Sequence, residues 1–253
     1  MINVLINGYY GKMGQVLANE VKEDNDMSLI AGVDVNALNT QSNFKVYNHI
    51  FDCNDAIDVI IDFSHPSSLS DLLKYAIEKN IALVIGTTGL TNDDMDKIKT
   101  ASEKIPVFYS ANMSLGINVL ASILKDITPV LEDTFDIEIV EKHHNKKIDA
   151  PSGTAYLLAE AINSTLEDKK DYVFDRHFKK EARDKNEIGI HSIRGGTIVG
   201  EHTVIFAGCD EVIEIKHSAS SKKIFAQGAI KAAKFVYNKE NGFYNMEKLM
   251  KKS

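Results

Sequence analysis

Val4-Leu5-Ile6-Asn7-Gly8-Tyr9-Tyr10-Gly11-Lys12-Met13-Gly14 opens the chain with an apolar, β-branched run, a glycine-rich turn and a helix-compatible segment. In that order the turn meets the physical demand of dinucleotide binding. A tight bend lets backbone N–H groups at a helix N-terminus approach a pyrophosphate. The middle glycine of the usual G-x-G-x-x-G spacing is absent, because Tyr10 stands there, and glycines fall instead at 8, 11 and 14. Asp34 supplies what the turn alone lacks. It ends the next strand-like run, about 20 residues on, and is placed to accept hydrogen bonds from the hydroxyls of an adenosine ribose. A glycine turn with a strand-terminal acid also occurs in α/β proteins that bind no nucleotide, so the pair counts only in its strand, turn and helix context.

Outward from this turn, the residues up to about Met113 alternate runs of Ile, Val and Leu with helix-compatible segments, the order of βαβ units on a parallel sheet. Residues 4–7, 28–34, 58–63, 81–85 and 105–108 read as strands. Their lack of polar alternation is what helices on both faces demand. Residues 66–79 and 91–103 begin with Pro or Thr and read as helices. Beyond Met113 the character changes: Leu115–Leu131 reads as a helix, and residues 136–141, 197–206 and 211–216 alternate with period two. That predicts a second domain built on a mostly antiparallel sheet with one solvated face. Residues 221–238 return to helical spacing and are expected to pack back on the first domain, and 167–186 form a charged surface excursion. The predicted class is α/β, with one domain over 1–113 and 223–253 and another over 114–222.

Composition narrows the function. A chain of 253 residues, 44% hydrophobic and 26% charged, can bury a sizeable core. The net charge of -7 speaks against binding nucleic acid or an acidic membrane, both of which need a positive field. No apolar stretch approaches the roughly 18 residues of a membrane span. The N-terminus lacks a signal peptide's basic lead-in, and Cys53 and Cys209 form neither a zinc knuckle nor a disulfide framework. The expectation is a cytoplasmic protein with reduced thiols, no metal, and no nucleic-acid or membrane partner.

Two further turns follow predicted strands: Gly86-Thr87-Thr88-Gly89 and Ser110-Ala111-Asn112-Met113. In an open parallel sheet the carboxyl ends of the strands form the ligand crevice, so these small residues can line the nicotinamide side, or serve as ordinary turns. The most informative stretch is Glu141-Lys142-His143-His144-Asn145-Lys146-Lys147-Ile148-Asp149-Ala150-Pro151-Ser152-Gly153-Thr154. Adjacent histidines ending a strand point to opposite faces, so a shared metal is not expected. Histidine can exchange a proton near neutral pH, and a neighbouring lysine can donate one or hold an anion. Pro151 suits a first helical turn, with Asp149 or Ser152 as cap, and the N–H groups around Ser152, Gly153 and Thr154 then make an anion site. The plain alternative is a solvated basic turn before a helix.

With these residues in hand, the chain resembles the dihydrodipicolinate reductase family. The resemblance is carried, in order, by Gly8-x-x-Gly11-x-Met13-Gly14, Asp62-Phe63-Ser64, the 86–89 and 111–114 turns, His143-His144-x-x-Lys147-x-Asp149-Ala150-Pro151-Ser152-Gly153-Thr154, and Arg194-Gly195-Gly196-x-x-Val199-Gly200-Glu201-His202. It covers nearly the whole chain, including Asn241-Gly242-Phe243-Tyr244, and the stretch from His143 to Thr154 is its most specific part. The resemblance implies a Rossmann-like nucleotide-binding domain and a mixed α/β domain for substrate binding and tetramerisation. It implies NAD(P)H-dependent reduction of a small cyclic dicarboxylate, 4-hydroxy-tetrahydrodipicolinate after loss of water, to tetrahydrodipicolinate.

The residue roles follow from the same resemblance. His143 and Lys147 match the proposed proton donors, and His144, Gly153 and Thr154 match substrate-binding positions. Gly8, Tyr9, Tyr10, Gly11, Lys12, Met13, Asp34, Gly86, Thr87, Thr88, Ser110, Ala111, Asn112 and Met113 match cofactor-binding positions. Many members that use NADPH well carry an arginine just after the acid. Val35 stands there, which implies NADH at least equal to NADPH unless Lys12 or Lys45 reaches the extra phosphate. Arg194 could contact substrate, while Gly195-Gly196 could equally be a hairpin turn. His49, His65, His177, His191, His202 and His217 read as structural or surface residues. Two other readings share parts of the pattern: an amino-acid dehydrogenase of similar layout, which has no need of the His143–Thr154 stretch, and an NAD(H)-sensing regulator, for which no basic helix-turn-helix appears.

Overall fold

The computed structural model describes residues 1–37 and 44–251. The chain divides into two compact units, Met1–Leu115 with the segment from Lys222 onward, and Gly116–Ser221. The first contains β1 (Ile2–Asn7), α1 (Lys12–Glu23), β2 (Met27–Val33), β3 (Val46–Tyr47), β4 (Val59–Asp62), α2 (Leu69–Lys79), β5 (Ala82–Ile85), α3 (Asn92–Ser102) and β6 (Pro106–Tyr109). The second holds α4 (Leu115–Leu131, starting at the boundary), β7 (Asp136–His143), α5 (Gly153–Asn163), β8 (Asp171–Val173), β9 (Glu187–Arg194), β10 (Gly200–Ala207) and β11 (Val212–Ala219). The chain then returns to the first unit with α6 (Lys223–Tyr237), β12 (Gly242–Tyr244) and α7 (Met246–Met250).

In the first unit the strands are all parallel, in the order β12-β6-β5-β4-β1-β2-β3. The absence of polar alternation has its predicted cause. Val4 and Ile6 face one core with α1 and α6, while Leu5 faces another with α2 and α3, and Val59, Ile60 and Ile61 divide in the same way. The last long helix does pack back here. Ala226, Ala229 and Ala233 of α6 share a core with Leu17 and Val21 of α1, and Lys234 pairs with Asp24 and Asp26 at 2.8 and 2.7 Å. Strands β3 and β12 were not foreseen, since two or three residues are too few to show a period. The order reverses between β1 and β4, so the turns after these two strands diverge and leave a crevice at their carboxyl ends.

The second unit corrects the expected mostly antiparallel sheet. Its order is β11-β10-β7-β9-β8. β10 is antiparallel to β7 and β11, while β7, β9 and β8 run parallel. The one-face-buried alternation of β7 is satisfied by either pairing direction, so it cannot distinguish them. Ile137, Ile139, Ile188, Ile190, Val204 and Phe206 form the buried face and pack on α4 and α5. On the other face Glu138 accepts from Arg176, Arg183 and His191, which ties the charged 174–186 segment to the sheet. Gly195-Gly196 does not close a hairpin, because β7 lies between β9 and β10. The turn instead crosses the end of β7, with Gly195 N–H donating to the His143 carbonyl at 2.9 Å and Asn145 N–H to that of Gly196 at 3.2 Å.

Candidate active site

The crevice of the first unit is a cleft of about 570 Å³, a size suited to a small-molecule or cofactor site. Gly8, Tyr10, Gly11 and Asp34 line it, with Ser64 and His65 from the turn after β4. Gly8 has φ +82°, and a Cβ there would meet the Phe63 carbonyl oxygen at 2.6 Å, so the close approach of the two turns requires glycine. A Cβ on Gly14 would overlap the Gly8 carbonyl oxygen, which packs α1 directly on the turn. Helix α1 has Gly11 at its N-cap, no side-chain cap and no acid in its first turn. Its first N–H groups, on Lys12 and Met13, have no intrahelical acceptors and suit a phosphate.

Asp34 is fixed by two backbone donors, Tyr10 N–H to Oδ2 and Asn36 N–H to Oδ1, both at 2.9 Å. Its carboxylate is thereby locked to the glycine turn. Tyr9, in contrast, is a core residue: its ring stacks on Phe44, and its N–H donates to the Val33 carbonyl. Lys45 pairs with Asp55 at 2.6 Å, while Val35 is 79% exposed beside Asp34 in the same cleft. His49 and His65, read as structural or surface residues, also line this cleft.

A buried carboxylate that the sequence marked only as part of the resemblance, with no role, organises the crevice floor. Asp62, at the end of β4, accepts from Asn7 Nδ2 at 2.8 Å, Ser64 Oγ at 2.5 Å and Thr87 Oγ1 at 2.7 Å. Burial pushes its pKa up, and the three donors oppose that. Thr87 also accepts from the Ser64 N–H, so Asp62 ties the turns after β4 and β5 together. Gly86 packs against the Phe63 ring, and Thr88 is exposed. Ser110 Oγ donates to the Asn112 carbonyl, Ala111 is exposed, and Met113 is buried in the core.

In the second unit, β7 ends in a dense polar cluster. Glu141 and His143, two residues apart, lie on the buried face, and His143 Nδ1 is 2.6 Å from Glu141 Oε2. Glu141 has no exposed surface. It takes both terminal nitrogens of Arg194 at 2.8 and 2.7 Å, and the Ser152 N–H at 3.1 Å. Desolvation would raise its pKa, but hydrogen bonds from Arg194, His143 and the Ser192 side chain outweigh that and hold it down to about 2. Arg194 also donates to the Asp149 carbonyl at 2.6 Å, so its two terminal nitrogens are committed within the protein, while its buried Nε has no hydrogen-bond partner among the described residues. Burial lowers the His143 pKa, and Glu141 opposes that. Lys147 Nζ lies 2.8 Å from Asp149 Oδ1. His144 follows β7, and its Nδ1 is buried without a partner among the described residues.

Ser152, and not Asp149, caps α5, accepting from Ala155 N–H at 3.2 Å, and Pro151 precedes the cap where a first-turn position was expected. The Ser152 N–H, expected to serve an anion, is taken by Glu141. Gly153 is open: a Cβ there would meet nothing within 4 Å. His202 is the satisfied core histidine expected, its Nε2 2.8 Å from Ser152 Oγ. The chain thus places His143, His144, Lys147, Gly153 and Thr154 around the end of β7 and the start of α5 in one unit. Gly8 to Met13, Asp34 and the 86–88 and 110–113 turns lie at the strand ends of the other. Alternation signalled Glu141, which shares a strand face with His143. Its partner Arg194 carried no such signal.

Residues 2–113 match the family described as dihydrodipicolinate reductase, N-terminus, and residues 116–250 match dihydrodipicolinate reductase, C-terminus. Among curated relatives, the 4-hydroxy-tetrahydrodipicolinate reductase of Caldanaerobacter subterraneus subsp. tengcongensis is 52% identical, covering 100% of this chain and 99% of that protein. The reductase of the same name from Clostridium tetani is 48% identical over 98% of this chain and 96% of its own length. Among solved structures, a dipicolinate-bound dihydrodipicolinate reductase from Paenisporosarcina sp. TG-14 shares the fold, with a TM-score of 0.82 at 24% identity over 97% of each chain.

Proposed function

The chain belongs to the dihydrodipicolinate reductase family, and from that premise we propose how its residues reduce 4-hydroxy-tetrahydrodipicolinate, by way of dihydrodipicolinate, to tetrahydrodipicolinate. The reaction belongs to lysine and diaminopimelate biosynthesis and draws on a reduced nicotinamide cofactor. The observation that carries the reading is the cluster at the end of β7. It joins a histidine held by a carboxylate, a lysine beside it and a helix start at which Gly153 leaves room for close approach.

The first unit is the dinucleotide-binding domain, and the second binds substrate and mediates assembly. The uncapped start of α1, the Gly8 to Met13 turn and Asp34 fit the cofactor's pyrophosphate and ribose. Gly86, Thr87, Thr88 and Ser110 to Met113 edge its nicotinamide end, and Tyr9 serves through backbone packing. When bound, the cofactor supplies the hydride. Hydride addition to a conjugated imine leaves electron density on the ring, which an acid must protonate, and His143 and Lys147 are the acids of the cluster. His144, Gly153 and Thr154 hold the ring carboxylates, with the α5 N-terminus adding its partial positive charge.

NADH serves at least as well as NADPH, because the Asp34 carboxylate repels a ribose phosphate, Val35 offers it no cation and Lys45 is neutralised by Asp55. The protein is a homotetramer assembled through the second unit, where Val212 and Ile213 of β11 are exposed apolar residues. Light scattering showing a strict monomer at micromolar concentration would remove that inference. It acts in the cytoplasm, where its cofactor is reduced. Free Cys53 and Cys209 agree with that, and among the described residues no helix is long and apolar enough to cross a membrane.

Steady-state turnover with the dicarboxylate tests the reading. His143→Gln and Lys147→Ala each lower kcat by about 100-fold, while NADH affinity is retained. Near-normal turnover in both variants returns the cluster to a solvated basic turn.

A further inference from the structure

His143 carries two ring nitrogens, and the structure treats them differently. Nδ1 lies 2.6 Å from Glu141 Oε2, whose charge is maintained by the two-point contact with Arg194. An ionised carboxylate only accepts, so the ring must donate from a protonated Nδ1. Nε2 is then the nitrogen left to exchange a proton. It faces Gly200, where a Cβ would come within 3.1 Å of it, so residue 200 leaves that edge of the ring uncrowded. We propose that Glu141 is a positioning residue for the reduction: it fixes the tautomer and angle of the His143 ring so that Nε2 is the atom that carries the donated proton, and Arg194 in turn fixes Glu141. The proposal deepens, and rests on, the reading of His143 as an acid.

The groups facing His143 make the same point energetically. They are Glu141 on its own strand, Lys147 in the following loop, Arg194 at the end of β9, and His202 on β10, whose ring centre is 5.2 Å away in an edge-on contact. Burial and the Lys147 and Arg194 cations favour the neutral ring, and Glu141 favours the imidazolium. Glu141 therefore both aims the ring and offsets part of the lowering that burial and the neighbouring cations impose.

The first test needs no turnover. Neutron diffraction from deuterium-exchanged crystals of the unaltered protein at about pD 8, above the ordinary histidine range, is expected to show deuterium on Nδ1 of His143 and none on Nε2. The reverse pattern overturns the proposal. The second test compares the pH dependence of kcat/KM in the unaltered protein, Glu141→Gln and Glu141→Asp, with NADH affinity followed by fluorescence. Removing the charge in Glu141→Gln moves the limb on which activity falls with rising pH down by about one unit or more, so above both limbs the variant is at least about tenfold slower. Glu141→Asp keeps the charge and restores the limb, with a lower kcat because the shorter side chain holds Nδ1 less well. NADH affinity stays within about twofold of the parent throughout. An unmoved limb in Glu141→Gln overturns the proposal, and should that variant fail to fold, the tautomer in the unaltered protein decides alone. Near-normal turnover in His143→Gln would instead sink the reading of His143 as an acid and leave the tautomer result standing.

Discussion

Arg194→Met isolates the energetic core of the second unit's polar cluster. Methionine retains much of the aliphatic volume and removes the guanidinium, leaving the fully buried Glu141 carboxylate with the Ser152 N–H, His143 and the Ser192 side chain as donors. Breaking a buried ion pair from one side costs about 3–5 kcal/mol, because the surviving charge stays buried without its partner. The three remaining donors, and the partial exposure of Arg194, place the expectation at the lower end, about 3 kcal/mol. For a chain of this size that is a fall in Tm of roughly 6–12 °C. The pH dependence gives an independent check. Glu141 is held down from the ordinary 4.5 to about 2. Such a group contributes stability that is full above its unfolded value and is lost as pH falls through the folded one. In Arg194→Met the desolvated carboxylate titrates higher, and protonating it relieves the buried charge. The gap between parent and variant is thus full at about pH 7 and narrows below about pH 4.5. Urea unfolding followed by circular dichroism, near pH 7 and near pH 4, measures both quantities. A loss under about 1 kcal/mol near neutrality, or a gap that does not narrow in acid, would mean that Arg194 does not stabilise the buried Glu141 charge.

Three further outcomes are expected. Burial holds the His202 imidazole down from 6.5 to about 4, so stability is full above about pH 6.5 and declines as pH falls towards 4, where the unfolded chain binds the extra proton. His202→Gln flattens that window, and an unchanged acid slope in the variant would assign it elsewhere. Gly14→Ala drives a methyl group into the Gly8 carbonyl and the Tyr9 backbone. It lowers NADH affinity at least about tenfold in a fluorescence titration, and unaltered affinity would show that the turn is not the pyrophosphate cradle. Asp34→Ala loses NADH binding more than NADPH binding, and the parent's kcat/KM for NADH equals or exceeds that for NADPH at matched ionic strength. A tenfold preference for NADPH, about 1.4 kcal/mol, would mean that an unassigned cation dominates the ribose pocket.

Much of the first unit was legible in the sequence, because the signals there are local. The pitch of a helix and the pleat of a strand impose periods that a short window displays. The Gly8–Gly14 turn, Asp34 at the end of β2 and the covered parallel strands could be read in that way, as could the helix at Leu115–Leu131. The stretch from His143 to Thr154 stood out because its polar residue types are held within a dozen positions, and the fold gathers them at the end of β7 and the start of α5. Pairings between distant segments emerged only in the folded chain. Asp62 gathers Asn7 and Thr87 from two other strand ends, Arg194 reaches Glu141 across 53 positions, and His202 meets Ser152 across 50. The parallel pairing of β7 with β9 belongs to the same class, and it is what brings Arg194 level with His143 and places the Gly195–Gly196 turn over the end of β7. A strand's alternation states which face is buried but not which neighbour lies beside it. The neighbour is selected by the free energy of the whole sheet and its covering helices, a quantity that no local window of sequence contains.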